Sequence, residues 1–129
     1  MQPLLPRPRV LFIEDDADTR DLVSFVLRRE NFEVVLAADS EEAMFAAGAM
    51  SFELYLIDNW LPGESGVDLC KRLRQLDRTT PILFYSGAAY EQDKSAAFAA
   101  GAQGYLTKPM DIGKLVEEVL HLISASVYV

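Results

Sequence analysis

Short apolar runs that alternate with helical patterns are the feature that most constrains the fold of this 129-residue chain. Five runs have the length of β-strands, at residues 9–13, 32–37, 54–57, 81–85 and 104–107. Most are rich in β-branched or aromatic residues. Several are apolar at consecutive positions, which is typical of strands that helices cover on both faces.

Five segments with helical spacing follow these runs, and we expect helices at about residues 17–30, 40–50, 67–76, 90–100 and 112–124. Asp39, with Glu42 three residues later, indicates a capped start for the second helix, and Gly101 indicates the end of the fourth. The apolar spacing predicts two core-facing sets, Leu22, Val23, Val26 and Leu27 on the first helix and Leu115, Val116, Val119, Leu120 and Ile123 on the last.

Strict strand–helix alternation with short connections predicts an α/β fold. We expect one doubly wound (βα)5 domain, with a five-stranded parallel sheet, right-handed crossovers and helices on both faces. The domain is predicted to span residues 9–126. Residues 1–8, which include three prolines, are predicted to form an extended arm, and residues 127–129 a short tail.

Composition limits the classes of function. A net charge of −8 argues against a nucleic-acid surface, which needs clustered cations. No apolar run approaches the length of a membrane span, and the proline-rich start does not resemble a signal peptide. The single cysteine, Cys70, excludes an internal disulfide, and we interpret it as a small core residue. These features together predict a cytoplasmic protein that does not contact nucleic acid or membrane.

The residues that follow each predicted strand carry the chemistry. Functional groups of open α/β sheets lie outside the carboxyl ends of the strands. Here those ends lead into four groups of polar residues: Glu14-Asp15-Asp16, Asp58, Ser86-Gly87 and Lys108-Pro109. If Glu14, Asp15 and Asp58 converge, three carboxylates share a crevice with one lysine, and such a cluster requires a cation or protons to neutralise it.

A hard divalent ion held by carboxylate oxygens is the simplest way to neutralise this cluster, and the donor set favours Mg²⁺, with Mn²⁺ as an alternative. Asp58 could then attack phosphorus and form an acyl phosphate. Lys108, the Ser86 hydroxyl and nearby backbone N–H groups would stabilise charge on the transferred group.

Over residues 9–124 the chain resembles the receiver domain of bacterial two-component response regulators, a flavodoxin-like fold. Four pieces carry the resemblance, each at the end of a predicted strand and in the same order: residues 10–16, 58–66, 86–87 and 104–109. The second is the most specific, with Pro62 four and Gly66 eight residues after Asp58.

The resemblance implies a role for each matching residue. Asp58 is similar to the phosphoacceptor, and Lys108 to the lysine that pairs with it. The metal ligands would be Glu14, Asp15, Asp58 and the backbone carbonyl of Trp60. Two residues would act as the switch, the hydroxyl residue Ser86 and the aromatic residue Tyr105.

The implied function is signalling by phosphorylation. A sensor histidine kinase or a phosphotransfer protein would supply the phosphoryl group, and a downstream protein would bind the face formed by the fourth helix, fifth strand and fifth helix. The chain would catalyse its own phosphorylation and dephosphorylation without being an enzyme in the usual sense. The fifth helix lacks the arginines typical of receivers that dimerise through this face.

Three other functions are weaker. A phosphatase of the haloacid dehalogenase type needs a second aspartate two residues after the nucleophile, where this chain has Trp60. A flavin-binding protein needs a hydroxyl-rich phosphate loop, where this chain has acids. A degenerate receiver that acts only as a protein-binding scaffold is the main alternative, although all the residues expected of an active one are present.

Several residues have simpler explanations than a role at a site. Asp16 is expected to cap the first helix, because a helix N-terminus favours an acidic side chain. His121 is expected at the surface of the last helix. Tyr105 is about as well explained by packing as by switching, and Pro109 is a candidate for a cis peptide bond.

Overall fold

The computed structural model describes residues 7–127. Most of the predicted arm, residues 1–6, and residues 128–129 of the predicted tail lie outside the described residues. Among the residues described, no helix combines the length and the apolar character needed to cross a lipid bilayer.

Strands and helices alternate without exception over residues 7–127, as predicted. The strands are β1 (Arg9–Ile13), β2 (Glu33–Ala37), β3 (Leu54–Ile57), β4 (Ile82–Ser86) and β5 (Gly104–Thr107). The helices are α1 (Ala17–Arg29), α2 (Ser40–Ala49), α3 (Gly66–Leu76), α4 (Glu91–Ala100) and α5 (Ile112–Val127). The predicted boundaries differ from these by no more than three residues, and the largest difference is at the end of α5.

All strand pairs are parallel, and the sheet order is β2-β1-β3-β4-β5. This is the flavodoxin-like order, so the predicted fold class is confirmed. The register places Ile13 beside Ile57, and Asp58 N–H donates to the Ile13 carbonyl at 3.0 Å. Lys108 N–H donates to the Ser86 carbonyl at 2.9 Å. These bonds hold the residues that leave β1, β3, β4 and β5 at one edge of the sheet.

The core consists of two layers, one on each face of the sheet. Alternate side chains of each strand enter opposite layers, so Leu11 and Ile13 pack on one side and Val10 and Phe12 on the other. Cys70 is fully buried in one layer, in agreement with its interpretation as a core residue.

Two predictions about the core were wrong. Leu22 and Leu120 were expected to point inward, but they are 55% and 47% exposed. α5 buries Leu122 in place of Leu120, beside the predicted Leu115, Val116 and Val119. Helical periodicity defines a broad apolar stripe, whereas the contact between α1 and α5 decides which edge of that stripe is covered.

Side-chain caps fix the starts of the helices that follow the acidic strand ends. The Asp16 carboxylate accepts from Thr19 N–H at 2.9 Å, so its interpretation as a cap is confirmed. Asp39 accepts from Glu42 N–H at 2.8 Å. The Glu42 carboxylate accepts from Ala38 N–H at 2.7 Å, one residue earlier than an ideal capping box requires.

A network at the opposite edge of the sheet ties α3 to β3 and β4. The Asp77 carboxylate accepts from the Tyr55 hydroxyl at 2.9 Å and from the Thr80 hydroxyl and N–H. Partial burial acts to raise the pKa of Asp77, but these hydrogen bonds outweigh it and lower the pKa from 3.8 to about 2.

Replacing Asp77 by Asn is expected to lower the free energy of unfolding at neutral pH by about 1–2 kcal/mol, because charge-assisted bonds are lost. Because the pKa of Asp77 is lower in the folded state, its charged carboxylate stabilises the fold fully above pH 3.8. This contribution is lost as the pH falls towards 2. Urea denaturation across that acid range should therefore show a weaker pH dependence for Asp77→Asn than for wild type. Equal slopes would contradict the assigned bonds.

Candidate functional site

The residues that leave β1 supply two carboxylates with different surroundings. The Glu14 side chain is buried, with 1% exposed, whereas Asp15 is exposed. The Arg20 guanidinium donates to the backbone carbonyls of Glu14 and Asp15 at 2.9 and 3.0 Å. Arg20 of α1 therefore fixes the backbone of the acidic loop, and it leaves both carboxylates free to face the sheet edge.

Asp58 follows β3 and lies deep in the same crevice, with 5% of its surface exposed. Its Oδ1 accepts from the Trp60 N–H at 3.1 Å. The next residue, Asn59, is also buried, and its Oδ1 accepts from Val67 N–H at 3.1 Å. The loop after β3 is thus held to the first turn of α3, and this fixes the backbone on which Asp58 stands.

Lys108 links the acids of two strand ends. Its Nζ donates to Glu14 Oε1 at 2.5 Å and to Asp58 Oδ2 at 3.2 Å. The Lys108–Pro109 peptide bond is cis, as anticipated. The side chain crosses the Tyr85 ring, with Nζ 5.3 Å from the ring centroid. One ammonium group therefore lies between two carboxylates that are far apart in the chain.

The charges in the crevice shift the pKa values of both partners. Burial raises the pKa of Glu14 to about 7; the bond to Lys108 opposes this shift, and the neighbouring Asp58 charge adds to it. Burial also works against the charged form of Lys108. The bond to Glu14 and the charge of Asp58 outweigh that effect, so the Lys108 pKa is raised. One lysine does not neutralise the whole cluster.

The donor set fits a hard divalent cation. Carboxylate oxygens of Glu14, Asp15 and Asp58 all lie within 4.8 Å of one another. Oxygen ligands of this kind suit Mg²⁺, and its positive charge would reduce the repulsion by Asp58 that adds to the effect of burial on the pKa of Glu14. The structure therefore brings the three predicted acidic ligands together. The role of the Trp60 carbonyl as a further ligand stays a prediction.

The two predicted switch residues meet at the loop between β4 and α4. Ser86 is fully buried, and its Oγ accepts from Ala88 N–H at 3.2 Å. The Tyr105 hydroxyl donates to the Ala88 carbonyl at 2.5 Å, and its ring stacks on Phe84 with centroids 5.4 Å apart. Both side chains therefore hold the same residue, Ala88, which links them physically. Desolvation raises the pKa of Tyr105, so the phenol stays protonated and able to donate.

Sequence reasoning missed the positioning role of two residues. Arg20 has no motif signal, because an arginine in the first turns of a helix is usually solvated. Asn59 could have been noticed, since a polar residue directly after a buried strand and the candidate nucleophile needs a hydrogen-bond partner. The surface prediction for His121 is confirmed, since this residue is exposed.

Comparison with known families matches this arrangement. The family model described as "Response regulator receiver domain" matches residues 10–120. Among curated proteins, the chain is 37% identical over 111 residues to the transcriptional activator protein PfeR of Pseudomonas aeruginosa, covering 86% of this chain and 36% of that protein. It is 36% identical to the alkaline phosphatase synthesis transcriptional regulatory protein SphR of Synechococcus elongatus, covering 94% of this chain and 51% of that protein.

Solved structures give the same result. A putative response regulator from Chloroflexus aurantiacus superposes with a TM-score of 0.87 at 35% identity, covering 92% of this chain and 99% of that one. A receiver domain protein described as CheY-like, from Methanospirillum hungatei, gives a TM-score of 0.92 at 25% identity, covering 95% and 98% of the two chains. The chain spans about half, or less, of the length of the curated relatives named above.

Proposed function

The chain belongs to the response regulator receiver domain family, and from this membership we propose that Asp58 accepts a phosphoryl group from a phosphohistidine. One observation carries the proposal. Lys108 lies between Glu14 and Asp58, in a crevice where three carboxylates share one cation. Such a cluster can bind a cation, and the cation and Lys108 can together stabilise the oxygens of a phosphoryl group.

In the proposed reaction, the Asp58 carboxylate attacks phosphorus in line with the departing imidazole. Lys108 moves from its two carboxylate partners to an oxygen of the transferred group and neutralises its charge. The buried position of Asp58 limits the water that competes with transfer. Glu14 and Asp15 would hold Mg²⁺, which supplies positive charge to the phosphoryl oxygens when bound.

The proposed switch uses the bonds to Ala88. Ser86 would turn its hydroxyl from the Ala88 N–H to a phosphoryl oxygen, and Tyr105, which donates to the Ala88 carbonyl, would fill the space that Ser86 vacates. The loop between β4 and α4 is then held by different side-chain contacts in the unphosphorylated and phosphorylated states. This difference shifts the equilibrium of the face formed by α4, β5 and α5, where a downstream protein would bind.

Replacing Ser86 by Ala is expected to leave labelling of Asp58 possible and to weaken the switch. The variant loses the bond to Ala88 N–H in the resting state and the bond to the phosphoryl oxygen in the phosphorylated state. The second bond, to a charged group, is stronger by about 1 kcal/mol, so the ratio of the two states changes about fivefold. NMR shifts of the Ala88 and Tyr105 amides, before and after phosphorylation, measure that ratio. The same change in shifts in wild type and Ser86→Ala would contradict this step.

A sensor histidine kinase or a phosphotransfer protein is the proposed donor. Several relatives are described as transcriptional regulators, and the matched region covers only part of each. We propose that this domain acts on a protein partner or a linked output region, and does not itself bind DNA, because its net charge is −8.

Labelling with a small phosphodonor tests the function directly. The chain is incubated with acetyl phosphate in Mg²⁺ or in EDTA, and the acyl phosphate is measured by intact-mass spectrometry. We expect a phosphoryl adduct in Mg²⁺ and no adduct in EDTA. A chain that stays unlabelled in both would refute the proposal and favour a phosphorylation-independent scaffold.

A further inference from the structure

The indole of Trp60 lies on the backbone of Gly87, across the top of the site. A methyl group built at Gly87 would come within 2.9 Å of Trp60 Cζ3 and 3.4 Å of Cη2, so the absence of a side chain at Gly87 makes room for the ring. The backbone N–H of Trp60 is bonded to Asp58 Oδ1 at 3.1 Å. The backbone of Trp60 is therefore held by the candidate nucleophile, and its ring lies against the loop after β4.

The part of the Trp60 side chain that does not contact Gly87 is exposed to solvent. Although it contacts Gly87, the residue is 64% exposed, which is unusual for the largest apolar side chain. It lines a groove of about 470 Å³ together with Asp15, Asn59 and the loop up to Ser65. One groove thus carries a flat aromatic surface and an acid of the candidate metal cluster, directly beside Asp58.

We propose that Trp60 is a specificity-determining residue that stacks on the flat, protonated heterocycle of the phosphodonor, and that the chain therefore favours phosphoimidazole-type donors over acyl phosphates. This inference rests on the proposed function. The leaving group of an in-line transfer departs from the side of phosphorus opposite Asp58, towards solvent. An exposed indole in the adjoining groove is placed to contact it.

The chemistry of the donor suits this surface. In protonated phosphoimidazole, one ring nitrogen carries phosphorus and the other carries a proton. Transfer forms the bond between Asp58 Oδ and phosphorus and breaks the P–N bond. The ring takes the electron pair of that bond and leaves as neutral imidazole with the proton it already holds. A cationic ring gains from contact with the indole face, whereas acetate is an anion and does not.

The test compares two donors across three variants of the whole chain. Rate constants for labelling by phosphoimidazole and by acetyl phosphate are measured in Mg²⁺ for wild type, Trp60→Ala, Trp60→Phe and Phe45→Ala. Phe45 is the matched control, because it is an exposed aromatic residue on α2, 81% exposed and outside the groove. The readout is the ratio of the two rate constants, which a general loss of folded protein does not change.

We expect Trp60→Ala to lower the ratio by about 5- to 10-fold, the effect of losing one cation–aromatic contact. Trp60→Phe should restore it to within about twofold of wild type, and Phe45→Ala should leave it unchanged. An unchanged ratio in Trp60→Ala, or a fall in Trp60→Phe as large as in Trp60→Ala, would overturn the inference. Wild type that is labelled by neither donor would instead refute the proposed function.

Discussion

Asp58→Asn is expected to reduce labelling by acetyl phosphate by about 1000-fold or more, because removing a nucleophile costs a factor of that order or larger. A neutral amide is a poor nucleophile and does not form an acyl phosphate. The amide oxygen can still accept from Trp60 N–H, so the loop after β3 should keep its position. Intact-mass spectrometry after incubation in Mg²⁺ measures the loss.

The control for this experiment is an exposed acid that lies outside the cluster. Asp18 is exposed in the first turn of α1, and Asp18→Asn should be labelled at the wild-type rate. Asp58→Asn also removes one charge from a crowded site, so its melting temperature without Mg²⁺ should not fall. Undiminished labelling of a folded Asp58→Asn variant would show that another residue is the phosphoacceptor.

Gly66→Ala is expected to lower the free energy of unfolding by about 2–3 kcal/mol, the cost of overpacking a tight site. The new methyl would lie 2.5 Å from the Asp58 carbonyl oxygen, 2.8 Å from Asn59 Cα and 3.0 Å from the Phe84 ring. Two of these atoms belong to the backbone, which cannot move without shifting Asp58. Urea denaturation measures the loss of stability.

The same substitution should slow labelling by about 10-fold or more, since small misplacements of a reacting group are costly. Gly48→Ala is the matched control. Gly48 lies in α2 with nothing within 4 Å of the added methyl, so this variant should gain about 0.5–1 kcal/mol. If Gly66→Ala were as stable and as readily labelled as wild type, the close contact with Asp58 would not position the nucleophile.

Local sequence was sufficient to predict the elements. The strand at residues 54–57 is apolar at every position, and all four of its residues are buried. Asp16 and Asp39 cap helices because a capping bond joins residues only three apart. The prediction that Leu22 is buried was wrong because helical periodicity does not define the exact edge of a buried face. That edge depends on the neighbouring helix.

The position of each polar group along the chain was sufficient to place these groups at one edge of the sheet. Each polar group follows an apolar strand, and parallel strands bring their carboxyl ends to one edge, so Glu14, Asp58, Ser86 and Lys108 had to lie near one another. Which of these groups form hydrogen bonds with one another depends on tertiary packing. Lys108 lies 94 positions from Glu14 and 50 from Asp58, and no local pattern links residues so far apart. The same holds for the Trp60 indole on Gly87 and for Tyr105 at Ala88, because the packing of neighbouring strands and loops fixes those side-chain rotamers.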